Sequence, residues 1–527
     1  MHSDIPAWAR DAVFYQVFPD RLARSDRVPA PGELEPWEAP PTRHGFKGGD
    51  LYGVVAHLDR LRSLGITALY LNPVFTSASN HRYHTDDYFC VDPLLGGNEA
   101  LRELLDEAHA RGMRVILDGV FNHCGRGFWP FHHVLENGAH SPYREWFHLD
   151  PGVLAGRRPL TAFPSAAEQA AIDALRSKGA PSGAASRAVL GYEAWWDLAA
   201  LPRLDLDEPH LRALVLGVAE HWLRFGIDGW RLDVAEEIGI DFWREFRARV
   251  RAVRPDAYLV AEIWSVKPEW LAGDTFDALM DYPLTEAILG FVAQHRLATD
   301  IDLPWEYQGR LGPLDGAALW SRIDGLAHAY GPGVLAAQLN LLGSHDTPRL
   351  RTLCGGDLDA VRMAMLLQMT LPGAPCVYYG DEIGMEGLMD PDCRRAFPAD
   401  PATWDREPAD WLADLVALRH SSRALRDGEL ALLRADGLAL AYLRQHEDDA
   451  YACALNAADE PLTWDLDVPV GFTSADLVML RSERQAGHAR LVSDRRLRVE
   501  LPARHGGIVR LESASRSSDR AEPILAA

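Results

Sequence analysis

Three carboxylates stand where apolar runs give way to polar loop. Asp233 closes I-D-G-W-R-L-D, with Arg231 two residues before it; Glu262 closes Y-L-V-A-E; Asp346 lies in L-L-G-S-H-D-T. Residues i and i+2 of a strand share a face, so Arg231 and Asp233 project together. A guanidinium beside a carboxylate favours the ionised form, which suits a nucleophile. Ala261, Ile263 and Trp264 surround Glu262 with apolar atoms, a setting that raises a carboxyl pKa and suits a proton donor. Taken alone, R-x-D is no more than a strand-end salt bridge, and a lone Asp after His345 is no more than a helix cap. The order and spacing of all three give them weight.

The elements that must position them alternate. Apolar, β-rich runs occur at 12–18, 66–71, 113–118, 227–233, 257–262, 276–280, 336–342 and 375–379. Helical periodicity separates them at 54–64, 98–111, 208–225 and 241–253, and helical segments are expected between the last strands. Eight strands alternating with helices predict an α/β fold, a (β/α)8 TIM barrel, whose active site lies at the C-terminal strand ends. The alternation breaks at 124–206, an insertion whose patch Ser177–Ala185, rich in Gly, Ala, Ser and Pro, is expected to be loop. The expected organisation is therefore barrel over 1–123 and 207–422, an inserted small domain after the third strand at 124–206, and a C-terminal antiparallel β-domain over 423–512. A disordered tail is expected from 513 to 527.

With D-G-V-F-N-H at 118–123, the stretches around Asp233, Glu262 and Asp346 resemble the four signatures of the alpha-amylase family of glycoside hydrolases. The segments V-F-Y-Q-V-F-P-D-R, G-F-K-G-G-D-L-Y-G and Y-E-A-W-W-D-L-A-A-L-P are similar to the neopullulanase, cyclomaltodextrinase and maltogenic amylase group. The resemblance implies Asp233 as nucleophile, Glu262 as acid/base and Asp346 as the carboxylate that grips sugar hydroxyls in a retaining mechanism. It implies sugar contacts at Tyr83, His123 and His345, with Arg231 beside the nucleophile, Glu237 on the acceptor side, and Asp392 and Arg394 in D-P-D-C-R. Asp118 is expected to support the site rather than react. His84 stands where related sequences usually carry Asp, and Glu236 where they carry Asn. The same barrel also hosts glucanotransferases, sucrose- or trehalose-type isomerases and, with a carboxylate lost, sugar-binding proteins; here all three carboxylates are present.

The resemblance also implies a calcium loop. The chain keeps Asp26 and Gly48-Gly49-Asp50 but places Arg24, Pro29 and Ala30 where oxygen ligands are expected, so no metal ligand is assigned and no cofactor is required. Asn122 is the one residue suited to a different calcium position. The group's N-terminal β-domain precedes the barrel, whereas here the barrel pattern starts at once, so a monomer or weak homo-oligomer is expected.

Composition excludes other classes. A net charge of −23 over 527 residues opposes nucleic acid and anionic membranes and fits a neutral oligosaccharide. No apolar run reaches the length of a membrane span, and the start M-H-S-D-I-P-A-W lacks a basic, apolar leader. Six scattered cysteines without C-x-x-C spacing are expected to be thiols, consistent with a cytoplasmic location.

Overall fold

The computed structural model describes residues 5–30, 32–478 and 487–513; the tail expected at 513–527 lies, after Ser513, outside them. Eight short parallel strands form the centre: β1 Phe14–Val17, β2 Ala68–Leu71, β3 Arg114–Gly119, β4 Gly229–Leu232, β5 Tyr258–Ala261, β6 Ala278–Leu279, β7 Leu339–Leu341 and β8 Ala374–Tyr378. Their order is β6-β5-β4-β3-β2-β1-β8-β7, and a parallel bridge from Met280 to Leu339 joins the two ends. The sheet is thus closed, and every strand is buried on both faces, which is why the runs are apolar throughout rather than alternating.

Helices α1 Leu51–Ser63, α2 Gly97–Ala110, α3 Pro209–Phe225 and α4 Ile240–Val253 return the chain between the first five strands. Asp50 caps α1 by accepting from the Gly53 amide, and Glu208 caps α3 through the Leu211 amide. Between β5 and β6 the expected helix is a single 3-10 turn, Pro268–Leu271. The Pro and the polar stretch around Asp274 leave no apolar stripe long enough for a full helix there. After β6 come α5 Tyr282–Ala293 and α6 Gly316–Tyr330; α7 Leu358–Thr370 follows β7, and α8 Arg406–Ser421 follows β8.

The patch expected to be loop at Ser177–Ala185 is turn and coil over 177–183, with Ala184 and Ala185 opening the next helix. It joins a helix Ala166–Arg176, opened by a Ser165–Glu168 capping box, to a second helix Ala184–Leu190. Ser186 and Asp197 are buried and joined, the Ser186 amide donating to Asp197 Oδ1 at 2.7 Å. Single antiparallel bridges, His123 with Arg203 and Phe147 with Leu204, stitch this region back to the end of β3.

After the barrel, strands β9 Glu429–Asp436, β10 Ala439–His446, β11 Asp449–Asn456, β12 Leu462–Asp467, β13 Phe472–Leu477, β14 His488–Ser493, β15 Arg496–Leu501 and β16 His505–Ser513 are antiparallel. They make a five-stranded sheet, β9-β10-β11-β16-β13, and a three-stranded one, β12-β15-β14. Side-chain alternation gives the larger sheet two apolar faces. Leu440, Tyr442, Tyr451, Cys453 and Leu455 join the barrel core, while Ala441, Leu443, Ala452 and Ala454 pack towards Trp464, Leu497 and Val499. The C-terminal unit is therefore docked on the barrel through its own sheet.

Asp281 caps α5 by accepting from the Leu284 amide at 3.2 Å, while its Oδ2 is buried with no hydrogen-bond partner among the described residues. Burial raises this carboxyl to about 7, against the lowering by the Leu284 amide. A carboxyl raised in the folded state binds more protons folded than unfolded, so it takes stability away as pH rises from about 4 through about 7. Asp281→Asn keeps the capping oxygen and removes the charge. Urea unfolding at pH 5 and pH 8 should show the variant gaining clearly more on the parent at pH 8 than at pH 5, and an equal shift at both would contradict this account.

Candidate active site

The site is assembled at the C-terminal mouth of the barrel from adjacent strands. Arg231 on β4 is the register partner of Asp118 on β3 and of Val260 on β5. Its guanidinium is fully buried and meets three carboxylates: Nη1 lies 2.7 Å from Asp118 and 2.7 Å from Asp233, and Nη2 lies 2.9 Å from Glu262. The backbone fixes the same arrangement, since the Asp233 amide donates to the Gly119 carbonyl and the Glu262 amide to the Leu232 carbonyl.

The sequence assigns Arg231 to Asp233 alone; the structure divides it among three. Burial raises the Asp233 carboxyl well above the usual range, Arg231 opposes the rise, and the Glu262 and Asp118 carboxylates add to it. Burial raises Asp118 to about 6 against the pull of Arg231, Tyr83 and Tyr70. One cation facing three buried carboxyls leaves an excess of negative charge, which the cluster relieves by holding a proton. The expectation that Arg231 alone favours the ionised form of Asp233 is thus corrected: burial and the neighbouring carboxylates outweigh it.

Glu262 is also less apolar in setting than its neighbours in sequence imply. Besides Arg231, it accepts from the Val234 amide at 2.9 Å and from the Trp264 indole at 3.1 Å. Val234 has φ 39°, a left-handed conformation that a β-branched residue adopts only under strain. The strain immediately after Asp233 turns the Val234 N–H onto Glu262, linking the two carboxylates through the backbone as well as through Arg231.

A hydrogen-bond relay joins the remaining groups. Gln16 on β1 donates to His345 Nδ1 at 3.0 Å, which leaves the proton on Nε2. That nitrogen meets the Tyr83 hydroxyl at 2.5 Å, and Tyr83 donates onward to Asp118 at 2.8 Å. The Tyr83 and His345 rings stack with centroids 5.3 Å apart. Burial, with Arg394 and Arg231 nearby, holds His345 well below its ordinary range, and burial takes His123 down to about 3. Both are neutral imidazoles. His123 stacks on Trp195 at 4.9 Å.

Asp346 is the most open of the three carboxylates. Arg394 anchors it by donating to its Oδ1 at 3.1 Å and to the His345 carbonyl at 2.8 Å. Asp392 is not part of this group: its carboxylate takes Arg395 and the Leu388 amide, so it braces its own loop. Glu237 sits at the exposed rim with Arg203 3.8 Å away, and Glu236 pairs with Lys267 at 3.2 Å. His84 packs edge-on against His81 at 4.8 Å.

Sequence reasoning missed several neighbours. Tyr70 donates to Asp118 at 2.9 Å, and Asn72 bonds both Tyr83 and Gln16. Tyr282 stacks on Trp264, which the sequence reading had only as an apolar neighbour of Glu262, with centroids 3.5 Å apart, forming one wall. The signal available was position: each lies at or just past a strand end.

The expected calcium loop is occupied by the protein's own cations. Arg24 donates to the Lys47 carbonyl, and the buried Lys47 ammonium donates to the carbonyls of Pro36 at 2.7 Å and Ala39 at 2.6 Å. The Asp50 carboxylate accepts from Ser25 and Gly53. Calcium takes about six to eight oxygens, and these residues do not fit it. Asn122, the other candidate, is buried with its amide beside the His123 ring. Among the described residues no group of three or more His, Cys, Asp or Glu is placed to hold a metal, and no helix is long and apolar enough to cross a membrane.

The alpha amylase catalytic domain model matches residues 16–488. The chain belongs to the alpha-amylase family. It is a glycosidase, on the strength of that match and of its relatives. It is 40% identical over 489 residues to a cyclomaltodextrinase of Geobacillus thermopakistaniensis, covering 92% of this chain and 75% of that one. Among solved structures, Ttha1563 of Thermus thermophilus matches with a TM-score of 0.84 and 44% identity over 96% of this chain and all of that one. A cyclic α-maltosyl-(1→6)-maltose hydrolase of Arthrobacter globiformis matches with a TM-score of 0.80 and 35% identity, covering 96% and 100%.

Replacing Arg231 by Met would leave three buried carboxyls without their cation. We expect a loss of about 3–5 kcal/mol in urea unfolding at pH 7, shrinking at pH 5 as the carboxyls take up protons. An unchanged loss at pH 5 would mean that packing, not charge, is what Arg231 supplies.

Proposed function

We propose that the protein is a retaining hydrolase of α-1,4-glucosidic bonds in maltodextrins or cyclodextrins, working in the cytoplasm without calcium. The observation that carries the reading is the pair Asp233 and Glu262 held at the two nitrogens of one buried guanidinium. Asp233 attacks the anomeric carbon while Glu262 gives its proton to the glycosidic oxygen, and the aglycone leaves as an alcohol. Glu262, now a carboxylate, takes a proton from water as that water attacks the glucosyl ester, freeing Asp233 and returning the α-configuration.

Asp346, steadied by Arg394, takes sugar hydroxyls as the ring distorts towards an oxocarbenium ion. The neutral His123 and His345 accept or donate to the same sugar without adding charge beside a developing cation. Tyr83 supplies its ring edge and face. Similarity to the cyclomaltodextrinase supports short or cyclic glucans as substrates. All six cysteines are free thiols and five are buried, which supports a reducing compartment.

Products from maltotriose, maltoheptaose, β-cyclodextrin, pullulan and sucrose, with and without chelator, test the substrate. Glucose and maltose released from the glucans, equally with chelator, are expected; longer products or sucrose isomers would move the chain to transferases or isomerases, and no turnover would leave a sugar-binding protein. For Glu262→Gln we expect about 10²–10⁴-fold less activity on maltotriose and a smaller loss on α-glucosyl fluoride, whose leaving group needs no proton. Full activity of the variant on maltotriose would end the assignment of Glu262.

A further inference from the structure

The connection from α5 to α6 presents an aromatic side chain that the mechanism leaves unused. Trp305 is 67% exposed, an unusual state for so large an apolar group. The residues that follow it turn inward to the site. Tyr307 is buried, its ring edge-on to Trp264 at 5.6 Å, and Trp264 is the residue that donates to Glu262. Glu306 is half-buried. Burial raises its carboxyl, and the fields of Glu262 and Asp346 add to the rise.

The connection is fastened to α5. The Leu314 amide donates to the Gly290 carbonyl at 3.0 Å, Gln294 donates to the Leu314 carbonyl at 2.6 Å, and Arg310 pairs with Glu286 at 3.1 Å. A Cβ at position 290 would meet the Gly312 carbonyl oxygen at 2.4 Å, so a glycine is required for the two segments to approach this closely. Trp305 is therefore carried on a tethered segment, with most of its surface open.

We propose that Trp305 is the platform for a glucose unit on the leaving-group side of the scissile bond, with Glu306 taking hydroxyls of that unit. The apolar face of a pyranose fits a flat indole, and a carboxylate beside an aromatic supplies the polar fix that a sugar site needs. The side follows from Glu262: the acid protonates the departing oxygen, so groups reached through Trp264 meet the departing sugar. The inference rests on the assignment of Glu262 made above.

Trp305→Ala, Trp305→Phe and Glu306→Gln are to be compared on maltoheptaose and on α-glucosyl fluoride, which puts no sugar in the leaving-group position. For Trp305→Ala we expect kcat/KM on maltoheptaose to fall about tenfold or more, mostly through KM, with the fluoride within about twofold of the parent. Trp305→Phe should recover much of the loss, and Glu306→Gln should show a smaller loss on maltoheptaose alone. Equal losses on both substrates, or none on either, would overturn the proposal. Should the parent split no glucan, the hydrolase reading fails separately. Calorimetric binding of maltoheptaose to the parent and to Trp305→Ala then decides: a weaker Kd in the variant supports the platform, and an unchanged Kd overturns it.

Discussion

A single buried cation is the constraint on which the site depends. Arg231 has no exposed surface, and its guanidinium is shared by carboxylates from the ends of three consecutive strands, Asp118 of β3, Asp233 after β4 and Glu262 after β5. An isolated charge at that depth would be costly, and so would three carboxylates without a cation. Each group is tolerable only in the presence of the others, so the geometry is held by electrostatics and by the barrel's register together. The excess of carboxyls over cations is what keeps a proton within the cluster. The same arithmetic that makes the cluster hard to bury makes it fit for acid and nucleophile chemistry.

The next layer is neutral. Gln16, His345, Tyr83 and Asn72 come from β1, from the loop after β7 and from the ends and loop of β2, and their hydrogen bonds converge on Asp118. With Arg394 holding Asp346 and the His345 carbonyl, the ring of contacts spans most of the barrel mouth. Closure of the sheet through Met280 and Leu339 is thus also closure of the site. Above it stand aromatic walls from different parts of the chain, Trp195 beside His123 and the Trp264–Tyr282 stack beside Glu262. The polar floor sets the chemistry, and the aromatic rim is where a sugar's apolar faces have surface to meet.

The structure is economical in how it attaches its outer parts. The five-stranded C-terminal sheet has one face in the barrel core and the other against the smaller sheet, so strand alternation alone docks it. The calcium loop implied by family resemblance is instead organised by Arg24 and Lys47 donating to backbone carbonyls. These two side chains tie the segment after β1 to the loop at 36–47.

Much of this was legible in the sequence. The eight apolar runs named the barrel strands to within a few residues, because strands buried on both faces must be apolar throughout. Arg231 and the carboxylates Asp233, Glu262 and Asp346 could be picked out because apolar runs end there in charged residues, while Tyr83 and His345 entered through the family resemblance alone. What the sequence could not determine was division and direction. It assigned Arg231 to one carboxylate where three share it, and gave Asp392 a place near sugar where it braces a loop with Arg395. It read Trp264 only as an apolar neighbour of Glu262, and it passed over Tyr70, Tyr282 and Trp305, whose roles come from neighbours far away in the chain. Local pattern fixes which segments are strands and which residues are reactive, because those depend on neighbours in sequence. Which groups share one charge, and which aromatic faces the opening, depend on the closing of the barrel, and only the tertiary structure decides them.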